Sequence, residues 1–195
     1  MEDAVRKVFL YMTMTFDGFI AGPNNELDWM VQTPDQEMND DVVALLSGAD
    51  SGLMGYPTAS GMIPYWASVA NNPSASQGEL AIARAINKIH GIVISNTPEK
   101  LEFENAELLL AKSDNDLIEA VARLKRQPGR DLGVPGGVRT GQTFARLGLV
   151  DEYVLMMHPV ASGIGKRLFT NKVNLELVSA KTYKSGVMKV CYRPR

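Results

Sequence analysis

At 195 residues, 45% of them apolar, the chain is long enough to bury one substantial core, and a single domain over residues 1–195 is expected. Its 20 basic and 22 acidic side chains give a net charge of −2 with the basic residues scattered, which excludes the electrostatic footprint of a nucleic-acid or anionic-membrane binder. Cys191, His90 and His158 stand far apart, so neither a metal site nor zinc deaminase chemistry is expected, and the charged opening residues with no apolar run near ~18 residues point to the cytosol.

In chain order, the KVFLYMT run (Lys7 to Thr13) is rich in β-branched and aromatic residues and predicts a central first strand. Thr15 to Met30 is broken by Asp-Gly, Gly-Pro and Asn-Asn pairs and reads as a long, ordered, ligand-facing loop. Thr33 and Pro34 signal a helix over about Asp35 to Ser47, with Met38, Val42, Leu45 and Leu46 on one face and Gly48 closing it. Ser51 to Gly55 predicts a short buried strand ending in the turn Gly55-Tyr56-Pro57-Thr58, and Asn71 to Ser76 a surface loop. Helix is expected from Gln77 to Lys88, strand from His90 to Ser95 and from Glu107 to Leu110, and helix again from Asp114 to Arg126. Leu132 to Val134 is a strand running into Pro135, Gly136 and Gly137, before a helix from Thr143 to Leu147 capped by Gly148. Asp151 to His158, Leu175 to Tyr183 and Val187 to Tyr192 complete the strands, the last two joined by a turn at Lys184 to Gly186. The alternation predicts an α/β fold: a mixed, mainly parallel sheet, helices on both faces, and an antiparallel C-terminal hairpin.

The strongest chemical signal is Leu132 to Phe144, LGVPGGVRTGQTF. A strand, paired glycines and a helix start present free backbone N–H groups to a phosphate, and Thr140 and Gln142 can add side-chain donors. The Gly55 to Thr58 turn and Ile94 to Lys100 also follow strands. Thr58, Ser95, Asn96 and Thr97 there serve equally as nucleotide contacts or as turn and cap residues. Ligands in such sheets bind at the carboxyl ends of the strands.

Five segments, TFDGFIAGPNNELDW, LMGYPT, IVISNTPE, VPGGVRTGQTF and LGLVDEYVLMMHPVASGIGKRLF, carry a resemblance that covers nearly the whole chain. In this order they resemble the dihydrofolate reductase-like superfamily, in particular the reductase domain of riboflavin biosynthesis proteins. The resemblance implies a three-layer dihydrofolate reductase-like fold, NADP(H) as cofactor and a homodimer. It implies that Ile20 and Ala21 line the nicotinamide side, that Trp29 contacts the cofactor and that Thr58 with Ser95, Asn96 and Thr97 holds the adenosine half. Gly136, Gly137, Val138, Arg139 and Thr140 hold the pyrophosphate, with a cis peptide between the two glycines. Two positions depart from the family pattern: Tyr56 stands where an arginine often pairs the 2′-phosphate, leaving NADPH against NADH open, and Pro135 where riboflavin-pathway reductases carry a substrate-binding glutamate.

The activity so implied is NAD(P)H-dependent hydride transfer to a pteridine, aminopyrimidine or related small heterocycle, through positioning and desolvation. Asp17 and Asp28, on the loop expected to cover the site, are the candidate proton sources, each set against a purely structural role in a turn or cap. The alternative is a nucleotide-binding or regulatory homodimer that keeps the fold without turnover. His158, before Pro159, reads as a satisfied structural residue, and the methionines as core filler.

Overall fold

A computed structural model of the chain describes residues 5–30, 35–98 and 100–195. The helix-start signals Thr33 and Pro34 lie outside the described residues. Strand β1 (Val8–Thr15) alternates, as its VFLYMTMT sequence demands. Val8, Leu10, Met12 and Met14 enter the main core, while Tyr11 packs on the opposite side with Met38 and Met156.

The remaining strands are β2 (Phe19–Ala21), β3 (Ala49–Gly55), β4 (His90–Ser95), β5 (Ala106–Leu110), β6 (Asp131–Val134), β7 (Glu152–His158), β8 (Lys166–Arg167), β9 (Leu175–Thr182) and β10 (Met188–Pro194). Eight form one sheet in the order β5-β4-β3-β6-β1-β7-β10-β9, and β2 pairs separately with β8. All pairings from β5 to β7 are parallel, and β10 runs antiparallel to both β7 and β9. The parallel run and the antiparallel C-terminal hairpin match the pattern read from the sequence.

Helices α1 (Gln36–Ser47), α2 (Tyr56–Ala70) and α3 (Gln77–Ile86) pack on one another over one face of the sheet. On the other face, α4 (Asp114–Lys125) and α5 (Val138–Arg146) bury Leu117, Val121, Leu124 and Phe144 against Leu10, Leu53 and Leu132. Both α3 and α4 start in capping boxes, Ser76 with Glu79 and Ser113 with Asp116, each satisfying two otherwise orphaned donors.

Three expectations need correction. The Gly55 to Thr58 segment is the first turn of α2, a 15-residue helix that the sequence concealed, because Gly61 and Pro64 interrupt it. Helix α5 begins five residues before the expected Thr143, directly on Gly137. No cis peptide occurs among the described residues; the chain reverses at Gly136 and Gly137 through positive φ of 132° and 85° instead.

Candidate active site

Because β4, β3, β6, β1 and β7 are parallel, their carboxyl ends share one edge. There α2 leaves β3 and α5 leaves β6 through glycine N-caps, Gly55 and Gly137, neither of which is capped by a side chain. The first-turn N–H groups of both helices are thus without a side-chain acceptor, and the positive ends of two helix dipoles meet. Thr140 ties them together: its hydroxyl oxygen accepts the Gly55 N–H at 3.2 Å. Gly137 faces Thr58, and a Cβ on it would lie 2.5 Å from Thr58 Oγ1. The structure therefore brings Thr58 to Gly137 and Thr140, both distant from it in sequence, in one cradle that only glycine permits.

The other expected cofactor positions fall around this edge. Val138 and exposed Arg139 open α5. At the end of β4, the Thr97 N–H donates to Ser95 Oγ at 3.1 Å, a local turn with Asn96 and Thr97 exposed. Ile20 and Ala21 are each 3% exposed, and Ile20 belongs to the main core. Gln142, expected to reach a phosphate, instead donates to the Arg167 carbonyl at 2.7 Å.

The loop after β1 is ordered by the segment after β7. Asp17 accepts the Thr15 hydroxyl at 2.6 Å and the N–H groups of Ser162 and Gly163 at 3.1 and 2.7 Å. These donors, the Thr15 hydroxyl first, hold its carboxyl down to about 2. Arg167 stacks on Phe19, 4.2 Å from the ring centroid, and donates to the Asp17 carbonyl at 3.0 Å. An Asp17 so held is ionised at neutral pH and pins two loops together. Asp28 is exposed. Beside it, Trp29 returns to the carboxyl end of β7 and meets His158 edge-on at 5.5 Å between ring centroids. Burial pushes the His158 imidazole below its ordinary value, so it is neutral at pH 7. The Trp29 indole Nε1 is buried with no acceptor among the described residues.

Sequence reasoning missed β8 and with it Arg167, because two residues give no periodicity. It also missed the role of α2 as a second helix N-terminus at the site. Pro57 in its first turn was the available signal.

Residues 6–189 match the family model described as the RibD C-terminal domain. The chain belongs to the RibD C-terminal domain family. YyaP of Bacillus subtilis (strain 168), itself an uncharacterized protein, is 32% identical over 96% of this chain and 94% of its own. Among solved structures, a putative riboflavin biosynthesis protein from Shewanella sp. PV-4 superposes with a TM-score of 0.73 at 20% identity, covering 97% of this chain and 99% of that one. Dihydrofolate reductase from Enterococcus faecalis, in complex with NADP(H), superposes with a TM-score of 0.61 at 13% identity, over 97% of this chain and 96% of its own. This RibD C-terminal domain protein therefore has the dihydrofolate reductase-like fold, and its Gly136-Gly137 turn and α2 start lie at the strand ends of that fold.

Proposed function

We propose that the chain is an NAD(P)H-dependent reductase acting on a small heterocycle of the pteridine or aminopyrimidine class. The observation that carries the reading is the convergence of two helix N-termini without side-chain caps on the Gly137–Thr58–Thr140 cradle. A dinucleotide fits such a cradle because its phosphates accept from the free N–H groups, and a Cβ at Gly137 would fill the space. When bound, the cofactor supplies a hydride. The chain's own work is then to hold it at Gly136 to Thr140, to support its adenosine half from Thr58 and Ser95 to Thr97, and to exclude water with the Trp29 loop. Asp17 acts by pinning that loop. The exposed edge strand β9, with Leu177 54% and Val178 45% accessible, supports extending the reading to a homodimer.

Titration with NADPH and, separately, NADH, followed through Trp29 and Trp66 fluorescence, tests the reading. Saturable binding is expected, with affinity reduced tenfold or more in Gly137→Ala, where φ of 85° and the 2.5 Å approach to Thr58 both oppose a Cβ. Absence of binding by folded protein overturns it. The second reading, a nucleotide-binding or regulatory homodimer, is favoured by one observation: of the two carboxyls expected to supply a proton, Asp17 is committed to its donors and Asp28 faces solvent. Saturable binding without cofactor oxidation across a panel of reducible pteridines and aminopyrimidines distinguishes it.

A further inference from the structure

The sheet face beneath α1, α2 and α3 carries a feature that cofactor binding does not require. Gly91 of β4, Gly52 of β3 and Gly133 of β6 stand in register on adjacent parallel strands, and the row ends on Phe9 of β1. Glycine inside a strand weakens it, having no side chain to pack and more backbone freedom to lose. Three abreast bring no side chains of their own to the gap beneath the helices; the Phe9 ring lies against Gly133, and the ends of Met54 and Ile89 against Gly52.

Over that row lies a cavity of about 220 Å³, bounded by all three glycines. Leu46 of α1, Met62 and Ile63 of α2 and Ile86 of α3 bound it from the helix layer. Among the described residues, no Asp, Glu, Lys, Arg or His side chain lines it. Of its polar side chains, Asn105 Nδ2 donates to the Ile89 carbonyl at 3.0 Å, Asn87 Nδ2 to the Trp66 carbonyl at 3.3 Å, and the Ser51 hydroxyl to Asp50 at 2.7 Å, while Tyr11 adds one uncharged phenol to the lining. A phosphate or carboxylate entering would shed its water and find no cation.

We propose that this cavity is a binding site for an uncharged two-ring aromatic group. Size follows from volume: an apolar cavity of ~150 Å³ takes one benzene ring, and this one is larger. Aromatic character follows from the Phe9 and Tyr11 rings among the apolar lining, and absence of charge from the lining as a whole. Pro135 lies in the same lining, immediately before Gly136, so the cavity reaches the turn that opens the cofactor cradle. Taking the ring as part of the reductase substrate rests on the proposed function; the binding itself does not.

Calorimetric titration of the full chain with coumarin, and with coumarin-3-carboxylate as its charged counterpart, tests the proposal. Coumarin is expected to bind saturably, one per chain, about tenfold or more tighter than the carboxylate. Gly52→Val fills the space over the glycine row: its Cβ meets Met54 Cε at 3.3 Å and Ile89 Cγ2 at 3.4 Å, ends of side chains that can shift. The variant is expected to melt no lower than the parent, lose coumarin binding and keep its NADPH titration. Should it fail to fold, Ile63→Trp fills the same space from the helix side. Absence of saturable coumarin binding, equal affinity for the carboxylate, or binding retained by the filled variant overturns the proposal. Coumarin binding as expected with no NADPH binding overturns the reductase reading and leaves this one standing.

Discussion

Asp17 is the residue whose sequence context and tertiary surroundings differ most in meaning. Its Asp-Gly pair is a turn signal, and the turn is there, since the Gly18 N–H donates to the Thr15 carbonyl at 2.9 Å. What the turn accomplishes depends on Ser162 and Gly163, about 145 residues away in sequence, whose N–H groups the carboxylate accepts. Folding lowers its pKa from the ordinary 3.8 to about 2. A group whose folded pKa is depressed contributes stability above its unfolded pKa and loses it as pH falls through the folded one. Asp17→Asn is therefore expected to lower Tm at pH 7 and to flatten the fall in Tm between about pH 4 and pH 2. Equal acid limbs for the two proteins, followed by circular dichroism, would contradict the loop-pinning role.

Among the elements, α4 was legible and α2 was not, for reasons that lie in their residues. Helix α4 has Leu117, Val121 and Leu124 on one stripe, acidic residues in its first turn, Arg123 and Lys125 in its last, and the Ser113–Asp116 box in front. Ser113→Ala removes the acceptor for the Asp116 N–H and is expected to cost about 1 kcal/mol by urea denaturation, with an unchanged m-value. Helix α2 has apolar residues all round and prolines at 57 and 64, and it buries only Ala59 and Val69. Its Ala59, Tyr56, Met62 and Ile63 pack on Met54 and Val93 in a small cluster apart from the main core, so no long clean stripe marks its buried face. The in-register glycines of β3, β4 and β6 were likewise invisible, since register between strands cannot be read from any one of them.

At the scale of the whole molecule, the parallel run from β5 to β7 brings Gly55, Ser95, Gly137 and His158, each at or just beyond the carboxyl end of a strand, to one edge of the sheet. No helix among the described residues is long and apolar enough to cross a membrane. The opposite side of the sheet ends on β9, which is neither covered nor blunted by proline. The homodimer reading assigns this edge to a second copy, so Leu177→Lys is expected to convert dimer to monomer in sedimentation with little change in the monomer's fold. An unchanged sedimentation coefficient in the variant would remove β9 from the interface.

Taken alone, the sequence determined the fold class, the parallel order of strand and helix, the C-terminal hairpin and the Gly136-Gly137 turn. These rest on local periodicity and on glycines at strand ends, which are properties of short stretches. Tertiary structure decided the rest: that the Gly55 turn opens a helix, that Thr58 abuts Gly137, that Asp17 is spent on the loop after β7, and that three strand glycines align beneath a cavity. Each of these depends on which distant segments the sheet order sets side by side, and that adjacency is encoded by packing of the whole chain rather than by any window of it.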